Sequence, residues 1–268
     1  FTSGATESIN LLLKGYFFAN FQQKRKIITS PIEHKAVLET CIYLESIGAE
    51  LEYVKINSEG VIDYDHLESI VDNETLFVCL MHVNNETGEI SDLERINDIA
   101  KAANTKFFTD TTQSITKLEV NANHFDACVG SAHKFHGPKG VGFLYLKNGL
   151  SLSQIQHGGK QEIGLRAGTH NLPGVLSMKA ALGVRVDFNY QSFLSFLDSF
   201  KYLLGSRVGY ETIPNIISFG IESDDHKVFS VISKKCVFSF GSACNEGLFS
   251  GSHVSSFLGY EKLIRFSF

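Results

Sequence analysis

The feature that most constrains the fold is an alternation of short apolar runs with amphipathic segments over the first two-thirds of the chain. Six apolar runs have the length of buried strands, and segments with helical spacing lie between them. The predicted strands are Lys26–Thr29, Leu51–Val54, Thr75–His82, Lys106–Thr109, Ala127–Val129 and Val141–Leu146. Such alternation predicts an α/β fold, with a mostly parallel sheet flanked by helices.

Three amphipathic segments are predicted to form helices. Lys35–Ile47 carries one apolar face and stops at Gly48, and Asp63–Val71 is a shorter helix. Ser91–Ala103 opens with Ser-Asp-Leu-Glu, which has the pattern of a capping box at Ser91. In sheets of this class, ligands bind beyond the carboxyl ends of the strands.

The pattern changes after about residue 184. One long helix is predicted over Val186–Leu204, and short strands are predicted over Ile216–Phe219, Val228–Ile232 and Val237–Phe240. We therefore expect a large domain over residues 1–184 and a smaller α+β domain over residues 185–268.

Composition narrows the classes of function. The formal net charge is −5 and there is no basic block, so direct nucleic-acid binding is not expected. No apolar run approaches the ~20 residues of a spanning helix. The five cysteines include no C-x-x-C pair, so neither a disulfide framework nor a metal site is predicted. Cys41, Cys79 and Cys236 are interpreted as structural.

Two segments have patterns typical of ligand binding. Thr2–Ser8 is a turn of small residues before an apolar helical stretch, with Thr6 as the predicted N-cap and Glu7 at the positive end of the helix. Such a turn either caps the helix or also binds a phosphate. Asp110 follows a short strand, where a carboxylate faces the ligand crevice or serves as a helix cap.

A third segment contains a lysine in an unusual setting. Lys134 follows a strand and precedes the turn Gly137-Pro138-Lys139-Gly140. Apolar strands and glycine turns around it predict a desolvated side chain. Desolvation lowers the pKa of a lysine and makes its amine a nucleophile toward aldehydes. Lys139 is compatible with an ordinary position at the entrance of a loop.

Read together, these segments resemble a cysteine desulfurase of the class V aminotransferase family, whose fold type I members use pyridoxal phosphate. The matches occur in family order over nearly the whole chain: Thr2–Asn10, Glu33–Leu38, Met81–Gly88, Asp110–Ser114, Ser131–Gly140, His157–Thr169, Pro214-Asn215, Gly241–Cys244, Ser252–Val254 and Ile264–Ser267. Ten short motifs in one order are far more specific than any one of them.

The resemblance implies roles for the residues of the large domain. Lys134 would attach the cofactor and later move protons, and Asp110 would keep the pyridine nitrogen protonated. Gln113 would hydrogen-bond the phenolic oxygen of the ring, and the catalytic His34 would lie over the ring face. The phosphate would be bound by four residues, which are Ala5, Thr6, Ser131 and His133.

Other implied roles concern the substrate and the subunits. Asn85 would contact both the substrate and the phenolic oxygen, and Arg265 would bind the substrate carboxylate as a fork. Thr169 would reach the phosphate in a partner subunit, which implies a homodimer.

Cys244, in Gly-Ser-Ala-Cys, distinguishes a desulfurase from related enzymes. In the family reaction its thiolate attacks the sulfur of L-cysteine, alanine leaves, and a persulfide remains on Cys244. A sulfur-acceptor protein, either a scaffold or a thiolation enzyme, would take the sulfur. Iron–sulfur assembly, tRNA thiolation and DNA phosphorothioation are alternative destinations.

Some departures from the family pattern leave alternatives open. The chain starts inside the pattern and its second domain is short, so it is either part of a longer protein or a reduced member. Lys160 replaces a glycine, Ile163 an arginine and Ala132 a glycine. The rival functions are an aminotransferase, a selenocysteine lyase or a degenerate non-catalytic member. We expect a cytoplasmic location, with an organellar matrix as the alternative.

Overall fold

The computed structural model describes residues 1–184, 190–198, 206–221, 233–234, 237–240 and 251–267. The chain divides into two compact units. The first contains Phe1–Lys55, Asp63–His82 and Asp92–Arg185, and the second contains Ile56–Ile62, Val83–Ser91 and Val186–Phe268. Two short segments from the early part of the chain thus belong to the second unit.

The first unit is built on a six-stranded sheet in the order β2-β1-β3-β4-β5-β6. All neighbouring strands are parallel except β5 and β6, which are antiparallel. The strands are β1 (Lys26–Thr29), β2 (Glu50–Tyr53), β3 (Thr75–Cys79), β4 (Lys106–Asp110), β5 (Ala127–Ser131) and β6 (Gly142–Leu146). The predicted α/β fold with a mostly parallel sheet is confirmed.

Helices flank this sheet, and their starts differ in part from the prediction. They are α1 (Ala5–Asn20), α2 (Lys35–Ser46), α3 (Tyr64–Ile70), α4 (Leu93–Ala102) and α5 (Leu172–Leu182). The predicted cap of α4 at Ser91 is wrong, because the Asp92 side chain accepts the hydrogen bond from Arg95 N, at 3.0 Å. Within the described ranges, no helix has the length and apolar character needed to cross a membrane.

The core of the first unit joins α1 and α2 to the sheet. Its centre is aromatic: the Tyr16 ring meets Phe108 edge-on at 5.1 Å between centroids, and Phe77 lies 5.2 Å from Phe108. Aromatic pairs with this spacing contribute beyond the area that they bury. Cys41 and Cys79 are buried in the same cluster, as predicted.

The start of the chain is fixed to the sheet at β6. Thr2 and Gly142 exchange two backbone hydrogen bonds, of 3.0 and 2.9 Å. A Cβ atom on Gly142 would come within 2.6 Å of Gly4 Cα, so this position requires glycine. Because Gly142 also pairs with Ser131, the first residues of the chain lie next to the carboxyl end of β5.

The second unit has a four-stranded antiparallel sheet in the order β7-β8-β10-β9. Its elements are α6 (Tyr190–Asp198), β7 (Ser206–Val208), β8 (Ile216–Ile221), β9 (Ser239–Phe240), α7 (His253–Phe257) and β10 (Lys262–Ser267). Only Tyr190–Asp198 of the helix predicted over Val186–Leu204 is described. The strand predicted over Val228–Ile232, and the residues Cys236 and Cys244, lie outside the described residues.

Candidate active site

Several of the predicted site residues lie at the carboxyl ends of β4 and β5. The two strands are parallel neighbours, with Asp110 opposite Val129, so Asp110 and Ser131 lie at one edge of the sheet. A short 3-10 turn, Ala132–Lys134, follows β5 directly and places Lys134 at the same edge. Parallel sheets bind their ligands at this edge.

Asp110 is a buried carboxyl group with cationic neighbours. One carboxylate oxygen accepts a hydrogen bond from Thr112 N at 2.8 Å. Burial raises the pKa of Asp110, although the Thr112 hydrogen bonds and the charges of His34 and Lys134 oppose the rise. A bound cation would therefore stabilise the ionised form of Asp110.

Lys134 acts on several groups of this edge through its charge. That charge opposes the rise in the pKa of Asp110 and contributes to the lowered pKa of both His133 and Lys117. The prediction that strands and turns desolvate Lys134 is wrong, because its side chain is exposed. The 3-10 turn carries Lys134 beyond the apolar end of β5, where the residue is exposed.

His34 is the N-cap of α2. Its ring nitrogen Nδ1 accepts a hydrogen bond from Ala36 N at 3.1 Å. An acceptor nitrogen carries no proton, so the neutral ring has its hydrogen on Nε2. The start of α2 thereby fixes both the position and the tautomer of the imidazole.

The N-terminus of α1 lies beside Ser131. Gly4 is the N-cap, with no side-chain cap, so the prediction of Thr6 as the cap is wrong. A Cβ atom on Gly4 would lie 3.4 Å from Ser131 Oγ, which shows how closely the two segments approach. The first amides of α1, which include Ala5 and Thr6, point away from the helix without intrahelical partners.

A serine–histidine pair completes this corner of the site. Ser131 Oγ lies 2.9 Å from Nδ1 of His133. Burial and the charges of Lys134 and Lys139 lower the pKa of His133. A free helix start with hydroxyl and imidazole donors is an arrangement that suits an anion.

An ion pair missed by the sequence analysis holds the first turn of α1. Arg166 donates from Nε to Glu7 Oε1 at 2.7 Å and from Nη2 to Glu7 Oε2 at 3.4 Å. Burial alone would raise the pKa of Glu7, but hydrogen bonds from Arg166 and Ser3 lower it. The pair joins positions 159 residues apart, and no local pattern indicates it. Thr169, three residues beyond Arg166, is exposed.

The sequence analysis gave no role to two further polar residues, of which one interacts with Asp110 and the other with Gln113. Glu33 precedes His34 and is buried, and its Oε1 accepts a hydrogen bond from Met81 N at 2.8 Å. Burial, with the negative charge of Asp110, raises the pKa of Glu33 well above its usual range. Lys117 donates from Nζ to Gln113 Oε1 at 3.2 Å.

The second unit contains the two predicted substrate residues as neighbours. Arg265, on β10, donates from Nη1 to the backbone carbonyl of Asn85 at 2.8 Å. Both side chains are half-buried. The structure thus brings Arg265 and Asn85 together through the main chain. Cys244, predicted to carry sulfur, lies outside the described residues.

Comparison with known proteins identifies the family. The profile of the family described as Aminotransferase class-V matches residues 1–268, the whole chain. The chain belongs to the class-V aminotransferase family. Cysteine desulfurase IscS of Dictyoglomus turgidum is 36% identical over 273 residues, which cover 96% of this chain and 69% of that relative.

Solved structures of similar proteins agree with this family. A NifS-like protein superposes with a TM-score of 0.87 at 34% identity, over 100% of this chain and 76% of that protein. The structure of SspA in complex with cysteine gives a TM-score of 0.87 at 32% identity, over 99% of this chain and 80% of that protein. The chain is thus similar in sequence to a cysteine desulfurase and similar in structure to a NifS-like protein.

Proposed function

We propose that the chain is a pyridoxal-phosphate-dependent cysteine desulfurase, which converts L-cysteine to L-alanine and an enzyme-bound persulfide. The observation that carries the proposal is the buried Asp110 at the end of β4, acted on by the charges of His34 and Lys134. The 36% identity to a cysteine desulfurase supports the choice of reaction.

The residues of the first unit fit pyridoxal phosphate. Asp110 would pair with the ring nitrogen, because a buried carboxyl group with a raised pKa gains from a protonated partner. Gln113 would face the phenolic oxygen, and the exposed Lys134 would attach the cofactor through its side-chain amine. The phosphate would be held by the start of α1 and the turn after β5, through Ala5, Thr6, Ser131 and His133.

The chemistry that pyridoxal phosphate supplies when bound is withdrawal of electrons from the α-carbon of an amino acid. The chain supplies groups that hold and move protons. Lys134 has an amine that can accept a proton, and His34 exchanges its proton at Nε2 because Nδ1 is held by Ala36 N. Lys134 and His34 are therefore the proposed acid–base groups.

Arg265 and Asn85 are the proposed substrate residues. A guanidinium group binds a carboxylate through two parallel N–H donors. The contact from Arg265 to the Asn85 carbonyl uses Nη1 and orients the plane of the guanidinium. Arg265 would bind the carboxylate of L-cysteine, and the Asn85 side chain would contact the substrate.

Cys244 is the proposed sulfur carrier. Its thiolate would attack the sulfur of L-cysteine, forming an S–S bond as the carbon–sulfur bond of the substrate breaks. The electron pair of the broken bond stays with carbon, which takes up a proton to give alanine. The persulfide would pass to an acceptor protein, and we expect this transfer to take place in the cytoplasm.

We also propose that the enzyme acts as a homodimer. Exposed apolar side chains on α5 support this, since Leu172 and Leu176 are 60% and 57% exposed, and Ile163 is 99% exposed. Thr169 is exposed in the segment between Ile163 and α5, where it could reach a second subunit. Analytical ultracentrifugation of the full chain tests the dimer.

The decisive experiment compares two cysteine variants of the protein loaded with pyridoxal phosphate. Cys244→Ala should abolish both alanine formation and the persulfide while the cofactor remains bound. Cys236→Ala is the matched control and should retain both. Normal turnover by Cys244→Ala, or formation of pyridoxamine phosphate in place of persulfide, would reject desulfurase activity in favour of another class-V reaction.

A further inference from the structure

Lys117 makes a contact for which the proposed mechanism has no use. Its Nζ donates to Oε1 of Gln113 at 3.2 Å, four residues earlier in the chain. Gln113 is only 9% exposed, and Lys117 is half-buried. The half-buried Lys117 thus holds the side-chain amide of Gln113, the residue proposed to face the phenolic oxygen.

The contact determines which atom of the Gln113 amide, the oxygen or the nitrogen, faces Lys117. An ammonium group has three donors and no acceptor, so only the amide oxygen can face it. The amide nitrogen then lies on the other branch of the same planar group. Nε2 of Gln113 forms no hydrogen bond with any residue that the structure describes, and its two donors remain available.

The protonation of Lys117 supports this assignment. Burial, and then the charge of Lys134, lower the pKa of Lys117 to about 8. Most Lys117 side chains therefore remain protonated at neutral pH, where they can donate but not accept. A neutral amine could accept from the amide nitrogen and would no longer select one orientation.

The backbone next to Lys117 has an unusual conformation. Thr116 has φ 67°, in the left-handed region, which is unfavourable for a β-branched residue. The turn is closed by hydrogen bonds from Lys117 N and Leu118 N to Ser114 O, each of 2.9 Å. Strained backbone of this kind persists where the surroundings enforce it, often at functional sites. Here the strained residue immediately precedes Lys117.

We propose that Lys117 is a positioning residue: it holds the carbonyl oxygen of Gln113 and thereby presents the amide N–H donors to the phenolic oxygen of pyridoxal phosphate. The proposal rests on the proposed function. An amide turned the other way would place its oxygen against the phenolic oxygen, where two acceptors repel each other.

The first test uses the protein without cofactor. The side-chain amide signals of Gln113, assigned by their loss in Gln113→Met, are compared between the wild type and Lys117 variants by NMR. Lys117→Met should shift them, whereas Lys117→Arg, which keeps a cationic donor, should leave them near their wild-type positions. Lys101→Met, on the exposed face of α4, is the control for loss of a lysine.

The second test measures the ratio of the dissociation constants of pyridoxal phosphate and its 3-deoxy analogue, which lacks the phenolic oxygen. A hydrogen bond to a charged oxygen corresponds to about tenfold or more in affinity. Lys117→Met should reduce the preference for pyridoxal phosphate by about tenfold, and Lys117→Arg should restore most of it. Lys117→Gln, a second variant in case the first folds poorly, should reduce the preference less.

The two tests separate the failure of this proposal from failure of the proposed function. Unchanged Gln113 signals in Lys117→Met would overturn the proposal even if the enzyme is a desulfurase. An unchanged ligand preference in a folded Lys117→Met protein would overturn it as well. By contrast, a protein that binds pyridoxal phosphate but forms no persulfide would contradict the desulfurase reaction and leave the role of Lys117 intact.

Discussion

Two buried carboxyl groups, Asp110 in the first unit and Glu89 in the second, have different neighbours. In the first unit, Asp110 is acted on by the positive charges of His34 and Lys134. In the second unit, Glu89 accepts hydrogen bonds from two successive backbone amides, Tyr210 N at 2.5 Å and Glu211 N at 3.0 Å. Burial raises the pKa of both Asp110 and Glu89, but the neighbouring charges differ: those of His34 and Lys134 favour the ionised form of Asp110, whereas those of Glu211 and Glu59 disfavour the ionised form of Glu89.

This difference distinguishes Asp110, which has proton-exchanging neighbours, from the buried glutamates of the second unit, which stabilise its fold. Glu86, also in the second unit, is fully buried, and its carboxylate accepts a hydrogen bond from Ser252 Oγ. Its backbone carbonyl accepts another from Ser218 Oγ. Glu86 and Glu89 therefore join segment 83–91 to the rest of the second unit, whereas Asp110 meets groups that can exchange protons.

The largest effect is expected at Asp110. Asp110→Asn keeps an acceptor for Thr112 N but removes the charge that would pair with the ring nitrogen. Loss of such a preorganised interaction should reduce the rate of alanine formation at least about 100-fold. The free energy of unfolding, from urea titration, should be unchanged or higher, because burial disfavours the charge. A large loss of stability would show that Asp110, like Glu86, is structural.

Glu86→Ala should give the opposite result, a loss of stability. Removing the carboxylate leaves Ser252, the N-cap of α7, without its acceptor in a buried position. The second unit should lose about 2–3 kcal/mol of stability. Hydrogen exchange of amides in β8, β10 and α7 measures this locally, with exposed Glu68→Ala as the control. Unchanged protection in these elements would contradict the structural role.

Glu89→Gln should change how the stability of the protein depends on pH. Burial raises the pKa of Glu89 from 4.5 to about 7. The charges of Glu211 and Glu59 add to this rise, and the two amide hydrogen bonds oppose it. Between these values the folded state holds a proton that the unfolded state has released, so stability falls as pH rises. After allowance for solvent screening, Glu89→Gln should be about 1 kcal/mol more stable than the wild type at pH 8.

Unfolding by urea at pH 4.5 and pH 8 measures this difference. The side-chain amide introduced by Glu89→Gln would keep one carbonyl oxygen as the acceptor for both backbone amides, since both bond to a single oxygen of Glu89. The two proteins should therefore be equally stable at the lower pH. A difference that is the same at both pH values would rule out titration of Glu89 as its cause.

The sequence predicted the sheet well because strand burial leaves a local signal. The strand β1 was predicted at its observed bounds, Lys26–Thr29, and Asp110 was predicted at a strand end, where it lies. These features follow from apolar runs and from the chain direction in parallel sheets. The same signal placed Lys134 after a strand but gave its exposure wrongly.

Other features depend on contacts between distant residues or on backbone angles. The Arg166–Glu7 pair has no local signature, and it holds the helix start that was assigned to a Thr6 cap. The contact from Lys117 to Gln113 follows a left-handed residue, Thr116, and side-chain spacing does not reveal such backbone angles. The periodicity of apolar residues carries no information about such side-chain contacts, which is why the sequence analysis missed them.

The cap that His34 places on α2 has one more consequence. A ring turned over by half a rotation would bring a carbon atom, in place of Nδ1, against Ala36 N–H and leave that amide without its acceptor. The imidazole can therefore change its orientation only if the first turn of α2 loses a hydrogen bond. A substitution that weakens the start of α2 would for that reason also loosen one of the two proposed acid–base groups.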